Sequence, residues 1–328
     1  MHILFVVNDA LGLKADQTTT MLLRAAAVSH GSAWVASVDA LTLSEAGRVD
    51  CQAREVHPAE TTAIVRDLPN LDAEPRSVES FDVVMLRTNP GRDGRGWAHA
   101  TALSLLRLVR DRGSLVLSDP DGLRRASSKL YLAEFPADLT PRTLVTRDIA
   151  RMRAFMASVA GPCVLKPLDG THGRDVFQVD PAQGQNINQI WDVLHRQGYV
   201  MIQEFIPEAT EGDVRLLLLH GELIELDGGV AAVHRVPGGA DFRSNVSAGG
   251  RAVAADVTPA LRRVAAETGP LLRRDGIFLA GLDVIGHKIV EVNVYSPGGF
   301  QDAEVFEGVD FSRFVMDEVA RMRAGGTP

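Results

Sequence analysis

The stretch that decides the fold is residues 282–293, which read Leu-Asp-Val-Ile-Gly-His-Lys-Ile-Val-Glu-Val-Asn. Two runs of alternating apolar and polar residues are joined by a short turn, which is typical of a β-hairpin. A two-residue turn would pair Asp283 with Val290 and mix polar and apolar residues on both faces. A three-residue turn pairs Asp283 with Glu291 and Val284 with Val290, which gives one apolar and one polar face. We therefore predict the three-residue turn.

The polar face of this hairpin carries Asp283, Glu291 and Asn293. Two carboxylates directly opposite each other on neighbouring strands repel. A hard divalent cation would remove the repulsion, because carboxylate and amide oxygens are ligands that Mg²⁺ takes beside substrate phosphates. The alternative is a solvated polar face with one charge on each strand. The hairpin by itself therefore predicts either a metal site or an exposed surface.

A second candidate element is the strand and glycine loop over residues 162–174, in which Lys166 lies near the end of the strand. A lysine there and the N–H groups of the loop can bind nucleotide phosphates, although a plain β-turn gives the same pattern. The loop is not a P-loop, because Gly-x-x-x-x-Gly-Lys-Ser/Thr is absent. No Gly-x-Gly-x-x-Gly follows the first strand, which argues against a nicotinamide dehydrogenase.

The first third of the chain alternates strands and helices. We predict strands at 3–7, 33–38, 81–86 and 114–117 and helices at 17–29 and 97–110. This order indicates an open, mostly parallel sheet. Residues 51–79 have a weak pattern and are interpreted as loops. A helix is predicted to begin at Pro120, to carry Lys129 and to end near Phe135.

The remainder of the chain has an α+β pattern. The predicted strands are 142–146, 162–167, 199–205, 213–219 and 222–227, with the hairpin over 279–294. The predicted helices are 148–158, 186–197, 259–273 and 311–323. Two glycine-rich stretches, at 169–174 and 237–251, interrupt this pattern.

Composition argues against several classes of protein. The chain has 328 residues, enough for two or three packed units, and its net charge of −8 argues against a nucleic-acid or acidic-membrane binder. The two cysteines, Cys51 and Cys163, lack metal-ligand spacing and are interpreted as reduced thiols of a cytoplasmic protein. No apolar run reaches transmembrane length, and the first strand is too short and too uncharged to be a signal peptide.

Taken together, these motifs resemble bacterial glutathione synthetase of the ATP-grasp superfamily. The matching stretches follow family order at 81–87, 129–131, 139–147, 165–170, 212–215, 247–251, 281–286 and 291–293. The resemblance implies an N-terminal open parallel α/β domain at 1–122, then an α+β ATP-grasp unit with a central lobe at 123–200 and a C-terminal lobe at 201–328. The two lobes are expected to clamp ATP between antiparallel sheets, and the loops at 169–174 and 237–251 are expected to close over the site as lids.

The resemblance also implies the roles of individual residues. The residues expected to bind ATP are Lys129, Lys166, Asp169, Gly170, Gly173, Gln203, Glu204, Phe205, Ile206 and Asp213. Asp283, Glu291 and Asn293 would hold Mg²⁺, or Mn²⁺ in its place. The catalytic residues would be Arg215 and Arg235, which stabilise the transferring phosphoryl group. The substrates would lie against Arg87, Asn89, Arg235, Ser296 and Gly298.

The implied reaction is ATP-dependent amide formation. A carboxylate attacks the γ-phosphorus of ATP to give an acyl phosphate and ADP, and an amine then displaces phosphate. Positioning and charge neutralisation carry such a transfer, so lysines, arginines and Mg²⁺ suffice. The expected substrates are small molecules, γ-glutamylcysteine and glycine, with neither nucleic acid nor membrane as a partner. A homo-oligomer, either a dimer or a tetramer, is also expected.

Three segments depart from the family pattern. Residues 295–301 read Tyr-Ser-Pro-Gly-Gly-Phe-Gln, which is more similar to the glutamate-adding ligases of the ribosomal-protein-modifying branch. Residues 171–174 and 87–90 replace the usual Met-Gly-Gly-Ala and Arg-Lys-Asp-Pro. Because these segments should lie beside the substrates, the alternative is a related ligase that joins another amino acid or dipeptide. A nucleotide-binding regulatory protein without catalysis is a further class.

Overall fold

The computed structural model of the chain describes residues 1–168, 175–180, 182, 186–238 and 250–325. Three main sheets, with helices packed against them, form the fold. One sheet lies in the N-terminal third and is mixed, with three parallel and three antiparallel strand pairings where a mostly parallel sheet was predicted, and the two others are antiparallel. The predicted class, an α/β domain followed by a two-lobed α+β unit, is confirmed.

The N-terminal sheet contains the strands β1 (His2–Val7), β2 (Ser32–Ser37), β3 (Leu41–Leu43), β4 (Val49–Val56), β5 (Glu74–Ser77), β6 (Val83–Arg87) and β7 (Leu115–Leu117). Its order is β3-β4-β2-β1-β6-β7, with β5 paired to β4. The strands β1, β2, β6 and β7 are parallel, and β4 is antiparallel to β2. Helices α1 (Thr18–His30), α2 (Thr61–Asp67) and α3 (Gly96–Asp111) accompany the sheet. The central strand β1 is apolar and buried, as a strand covered on both faces must be.

The prediction of loops over residues 51–79 is wrong, because this region contains most of β4, then α2 and β5. Strand β4 does alternate over Val49, Cys51 and Ala53, which are buried, and Val56 at its end is also buried. Cys51 and Ala53 have small side chains, so the alternation carries little hydrophobic signal. Pairing with β2 and β5 on either side stabilises the strand instead.

The single helix predicted from Pro120 to Phe135 is also wrong. Helix α4 (Pro120–Arg125) begins with Asp119 as its N-cap and ends after six residues. A separate 3-10 helix covers Lys129–Glu134, and the Ser128 hydroxyl caps it by accepting a hydrogen bond from Leu130 N–H. Serine favours such caps over helix interiors, which explains the break.

The central lobe is a four-stranded antiparallel sheet with its own core. Its elements are β8 (Thr143–Thr146), α5 (Ile149–Ser158), β9 (Cys163–Pro167), β10 (Phe177–Val179), α6 (Ile187–His195) and β11 (Val200–Glu204), with the strand order β10-β9-β11-β8. Met152, Leu165 and Trp191 belong to an apolar cluster that includes only residues of this lobe. The central lobe is therefore a separate packing unit within the described chain.

The C-terminal lobe completes the fold. Its strands are β12 (Asp213–Leu219), β13 (Glu222–Leu223), β14 (Glu225–Leu226), β15 (Gly229–Val230), β16 (Ala232–Val236), β17 (Arg251–Ala254), β18 (Leu279–Ile285) and β19 (Lys288–Asn293). Its helices are α7 (Pro259–Arg274), α8 (Phe300–Glu307) and α9 (Phe311–Arg323). The main sheet has the order β17-β16-β12-β18-β19, with β13 paired to β12. The strand predicted at 222–227 is two short strands, and α8 was not predicted.

The N-terminal and C-terminal parts are packed into one body. Helix α9 lies against α1, and Phe311 and Val315 share an apolar cluster with Phe5 and Leu22. A Cβ added to Gly122 would overlap the carbonyl oxygen of residue 275, so the two backbones touch there. The C-terminal end of β6 lies beside the segment that follows β19, because Nη2 of Arg87 donates to the carbonyl oxygen of Pro297 at 3.0 Å.

Candidate active site

Strands β18 and β19 form the predicted hairpin, and Asp283 lies directly opposite Glu291 as expected. The turn, however, has two residues rather than three, because Val284 pairs with Ile289 and not with Val290. A β-bulge between the two pairs restores the predicted alignment of the carboxylates. The prediction was therefore right for Asp283, which pairs with Glu291, and wrong for Val284, which pairs with Ile289 and not with Val290.

The extra residue of the bulge is Val290. It allows Ile289 to enter the core, where it is fully buried, and it leaves Val290 only partly buried. The carbonyl oxygen of Val290 accepts a hydrogen bond from Nζ of Lys166, which comes from the central lobe, over 3.4 Å. The bulge therefore buries the larger apolar side chain and also turns a backbone acceptor towards Lys166.

A cluster of buried charges surrounds Asp283. Nε and Nη2 of Arg215 each donate to one of its carboxylate oxygens at 2.7 Å, which makes a bidentate pair. Nη2 of Arg235 lies 2.8 Å from Oδ2 of Asp283, and Arg235 also pairs with Asp213. The sheet register creates the cluster, since Arg215 is opposite Asp283 and Asp213 is opposite Arg235.

The two carboxylates of the hairpin differ in their electrostatic surroundings. Burial by itself would raise the pKa of Asp283, but the charges of Arg215 and Arg235 lower it below its ordinary range. Burial and the repulsion of Asp283 raise the pKa of Glu291, and Lys166 only partly opposes this. Asp283 is therefore a compensated carboxylate, whereas Glu291 is the one that gains most from an added cation.

Asp283, Glu291 and Asn293 supply a donor set that fits a hard divalent cation. Two are carboxylates, and the side-chain amide of Asn293 lies beside them, with Nδ2 at 3.3 Å from Oδ2 of Asp283. No group of three His, Cys, Asp or Glu with metal-binding geometry occurs in the part of the chain that is described, so an amide would be the third ligand. The donor chemistry agrees with the predicted ligand set.

Two lysines from different elements approach the end of β9. Lys166 lies in that strand and is 8% exposed, and burial lowers its pKa to about 8 although Glu291 opposes the shift. Nζ of Lys129 donates to the carbonyl oxygen of Leu168 at 3.1 Å. Both predicted phosphate ligands thus lie where β9 ends and the glycine loop begins.

Several predicted residues lie outside the described part of the chain. These are Asp169, Gly170 and Gly173 of the first glycine loop, together with residues 239–249 of the second. The ATP contacts assigned to the first loop and the lid function of both loops remain predictions.

The side chains of the strand predicted to bind adenine are engaged within the central lobe. Gln203 donates from Nε2 to the Thr143 hydroxyl at 2.9 Å, and Glu204 accepts from the backbone N–H of Arg142 at 2.9 Å. The N–H of Phe205 donates to the Pro162 carbonyl at 3.0 Å. Ile206, which follows the strand, is half-buried. These contacts fix the strand, and its role towards adenine stays a prediction.

Arg87 occupies the C-terminal end of β6 and is 5% exposed. Its Nε lies 3.3 Å from the Thr19 hydroxyl, and its Nη2 donates to the Pro297 carbonyl at 3.0 Å. Both partners are neutral, and the ion pairs found among the described residues include none to Arg87. Burial, with the repulsion of Arg92, lowers the pKa of Arg87 to about 9. An incoming anion would compensate this buried cation.

A cavity of about 430 Å³ lies where the N-terminal sheet meets the two lobes. The predicted site residues in its wall are Asn89, Lys129, Glu291, Asn293 and Ser296. Wall residues that the sequence did not point to include His99, Arg124, Ser127 and Ser128, whereas Tyr131 and Tyr295 belong to segments that the sequence did single out. The double serine before Lys129 is a recognisable helix-stop signal, whereas His99 lies within an ordinary amphipathic helix. Gly298 is not in the wall, and a Cβ built on it meets open space.

Comparison with known protein families agrees with this arrangement. A family model described as the N-terminal domain of prokaryotic glutathione synthetase matches residues 1–124. The model of the ATP-grasp domain of the same enzymes matches residues 128–308, which is more than half of the chain. The chain belongs to the prokaryotic glutathione synthetase family.

Two curated members of this family are similar to the chain over nearly their whole length. The glutathione synthetase of Thermosynechococcus vestitus is 34% identical over 326 residues, which cover 96% of this chain and 98% of the relative. The enzyme of Bordetella pertussis is 32% identical over 338 residues, covering 99% of this chain and all of the relative. Family membership makes this chain an ATP-dependent ligase, and metal ions are typical of the family.

Solved structures show the same fold at much lower identity. The crystal structure of D-cycloserine synthetase DcsG has a TM-score of 0.67 and 18% identity, with 98% of this chain and 99% of that chain covered. The ATP-grasp ligase PsnB complexed with a minimal precursor has a TM-score of 0.62 and 19% identity, with 97% and 98% covered. Among the described helices of this glutathione synthetase family member, none is both long and apolar enough to cross a membrane.

Proposed function

We propose that this ligase joins γ-glutamylcysteine to glycine and converts ATP to ADP and phosphate. The observation that carries the proposal is the cavity between the sheets, because its wall combines Lys129 with Glu291 and Asn293 of the hairpin and with Asn89 of the N-terminal domain. The phosphate-binding and metal-binding candidates thus face the domain that should hold the donor peptide. Such convergence of charged groups on one cavity is typical of an active site.

ATP is proposed to bind with its adenine against residues 203–206 and its phosphates between Lys129 and Lys166. Lys166 favours this role because it is buried and its pKa is lowered, so phosphate oxygens would restore its full charge. Asp283, Glu291 and Asn293 are proposed to hold Mg²⁺, with Mn²⁺ as the alternative ion. The cation would supply charge neutralisation for the phosphates.

In the first step, a carboxylate oxygen of γ-glutamylcysteine attacks the γ-phosphorus of ATP. The bond from phosphorus to the β–γ bridging oxygen breaks, ADP leaves with that electron pair, and an acyl phosphate remains. Arg215 and Arg235 are proposed to stabilise the charge on the transferring group. Their guanidinium groups are already held by Asp283 and Asp213, so little reorganisation is needed during the step.

In the second step, the amino nitrogen of glycine attacks the acyl carbon. Phosphate leaves with the carbon–oxygen bonding pair, and the nitrogen loses a proton to give the amide. Ser296, which lies in the cavity wall, is proposed to line the space for the substrates, and Arg87 is proposed to bind a carboxylate of the donor. The buried Arg87 guanidinium favours this assignment, because Thr19 and Pro297, to which it is hydrogen-bonded, are both neutral. Closure of residues 169–174 and 237–251 would protect the acyl phosphate from water.

Three further properties are proposed from the same resemblance. The domains would be 1–122, 123–200 and 201–328, the protein would be a homo-oligomer, and it would work in the cytoplasm. Both cysteines are buried free thiols, which suits a reducing compartment. Light scattering of the purified protein measures the oligomer directly.

The test is ADP release by the purified protein with ATP, Mg²⁺ and γ-glutamylcysteine, with and without glycine. We expect release that requires both substrates, and a tripeptide thiol that mass spectrometry identifies as glutathione. ADP release that does not depend on glycine, or no release with this pair, would contradict the proposal.

A second candidate is a related ligase that joins a different amino acid or dipeptide. The observation in its favour is the Ser296-Pro297-Gly298 sequence, which departs from the family pattern beside the cavity. A panel of amino acids and dipeptides in the same ADP-release measurement separates the two candidates. An acceptor with a kcat/KM well above that of glycine would favour the second.

A further inference from the structure

Arg124, near the end of helix α4, lies in the wall of the cavity and has none of the roles assigned above. Two nearby arginines are paired with carboxylates, Arg110 with Asp119 and Arg125 with Glu134. The ion pairs found among the described residues include none to Arg124. A cation in a cavity wall without a carboxylate of the protein beside it suits an anionic ligand.

The guanidinium of Arg124 is held against helix α3 by neutral groups. Its Nη2 donates to the carbonyl oxygen of Ala100 at 3.4 Å and to the Ser104 hydroxyl at 3.2 Å. Nε and Nη1 donate to no group within the described part of the chain, and the residue is exposed. A ligand can therefore reach these N–H groups, and an exposed guanidinium is a permanent cation.

Two observations place this guanidinium at the cavity. Ala100, whose carbonyl it binds, is itself a residue of the wall. Burial raises the pKa of Tyr295, another wall residue, to about 12, and the positive charge of Arg124 partly opposes this shift. The guanidinium thus lies within electrostatic range of a second side chain of the wall.

The wall of the cavity combines residues from different elements. The candidates for the phosphates and the metal come from the 3-10 helix, with Lys129, and from the hairpin, with Glu291 and Asn293. Arg124 is instead hydrogen-bonded to α3, which belongs to the N-terminal domain. Arg124 is therefore attached to the side of the cavity that is proposed to hold the donor peptide.

The donor, γ-glutamylcysteine, has two carboxylates that need separate partners. The cysteinyl carboxylate reacts with ATP, whereas the α-carboxylate of the glutamyl residue is at the other end of the molecule. Arg87 suits the reacting carboxylate, because it is bonded to Pro297. The segment of Pro297 packs on Arg215, with a Cβ built on Gly299 at 3.5 Å from Cδ of Arg215. The remote carboxylate then needs another cation.

We propose that Arg124 binds the α-carboxylate of the γ-glutamyl residue and thereby selects donors that carry this group. The inference rests on the proposed function, because it concerns how that donor is recognised. Arg124 is thus a substrate-binding residue, and Arg87 binds the carboxylate at the opposite end of the same molecule. A guanidinium suits this role, because its N–H groups form strong, directed hydrogen bonds to a carboxylate.

The test compares γ-glutamylcysteine with an analogue in which 4-aminobutyrate replaces glutamate, so that only the α-carboxylate is missing. Glycine-dependent ADP release measures the turnover of both donors. We expect the wild type to prefer the natural donor by about 10-fold in kcat/KM, because a charge-assisted hydrogen bond is lost with the analogue. A wild-type preference near one overturns the inference without any variant.

Three variants then show whether Arg124 causes the preference. Arg124→Gln should abolish it by lowering kcat/KM for the natural donor alone, and Arg124→Lys, which keeps the charge, should retain part of it. Arg107→Gln is the matched control and should behave as wild type, because Arg107 is an exposed arginine of α3 outside the cavity wall. Circular dichroism checks that each variant is folded.

Two outcomes of the variant measurements would overturn the inference. An equal loss for both donors in Arg124→Gln would mean that the residue supports the structure of the site. A loss that is the same for both donors but disappears when glycinamide replaces glycine would mean that Arg124 binds the carboxylate of the acceptor.

Failure of the proposed function gives a different result. In that case the wild type releases no glycine-dependent ADP with γ-glutamylcysteine, so both the substrate assignment and this inference fall together. Glycine-dependent turnover with Arg124 variants that are indistinguishable from the wild type would leave the proposed function intact and remove only the role of Arg124.

Discussion

Two regions of the molecule bury arginine side chains, and they do so in opposite ways. In the C-terminal sheet, Arg215 and Arg235 are surrounded by the carboxylates of Asp213 and Asp283. In the N-terminal sheet, Arg87 has neutral contacts and no carboxylate ion-paired with it among the described residues. In the first region the charges of the two arginines and the two aspartates balance without a ligand. In the second region no carboxylate among the described residues balances the charge of Arg87.

The difference indicates what each region has to do. A compensated cluster keeps its shape through a reaction, which suits the stabilisation of a charge that appears only briefly. An uncompensated buried cation costs folding free energy until an anion arrives, which suits the binding of a substrate carboxylate. The β18–β19 hairpin combines both situations. Arginines compensate the charge of Asp283, whereas the charge of Glu291 is only partly compensated.

The largest effect is expected from Glu291→Gln, which preserves the shape of the side chain but removes its charge. If Glu291 completes the metal site, ADP release should fall by about 10³-fold or more, because the phosphates lose their neutralising ion. Steady-state ADP release measures this, and Glu45→Gln at an exposed turn is the control. Turnover close to that of the control would remove the metal assignment.

Arg235→Met tests the compensated region. The change leaves the buried carboxylate of Asp213 without its ion-pair partner, so we expect the free energy of unfolding to fall by about 3–5 kcal/mol. Urea unfolding followed by circular dichroism measures the change. A loss no larger than that of the corresponding Arg87 variant would mean that the two arginine sites do not differ in charge compensation.

Arg87→Met tests the uncompensated region. No carboxylate loses an ion-pair partner, so the free energy of unfolding should change by only about 1 kcal/mol, which is typical for the loss of ordinary hydrogen bonds such as those to Thr19 and Pro297. The KM for γ-glutamylcysteine should rise by about 10- to 100-fold, because a charged hydrogen bond to the donor is lost. Arg87→Lys, which keeps the charge, should recover part of the affinity. A large fall in the free energy of unfolding with an unchanged KM would mean that Arg87 stabilises the fold and does not bind the donor.

The smallest effect concerns Lys166, whose pKa is lowered to about 8 by burial. Lysine is charged below its pKa, so its attraction for phosphate is present at neutral pH and is lost as the pH rises above about 8. The profile of kcat/KM for ATP should therefore fall severalfold on the alkaline side. Lys166→Arg should move the fall to higher pH, because arginine stays protonated there. A profile that is identical in the two proteins would exclude this lysine as its cause.

Much of the fold follows from local patterns in the sequence. The apolar run of β1, the amphipathic helix α3 and the alternation of the β18–β19 hairpin were all predicted near their observed positions. The pairing of Asp283 with Glu291 was also predicted, because only one alignment gives an apolar face. The break after α4 and the strands within residues 49–77 were missed, since a serine cap and small inward side chains give weak signals.

What the sequence by itself determined is the kind of chemistry: a carboxylate pair on a hairpin, lysines and arginines in family order, and an acidic chain without a nucleic-acid patch. Only the tertiary structure decided the bulge at Val290 and the absence of a carboxylate beside Arg87 among the described residues. Each of these depends on contacts between distant segments, as in the bond between Arg87 and Pro297, which are 210 positions apart. Side-chain periodicity acts over a few residues, whereas burial and charge compensation depend on which surfaces meet after folding.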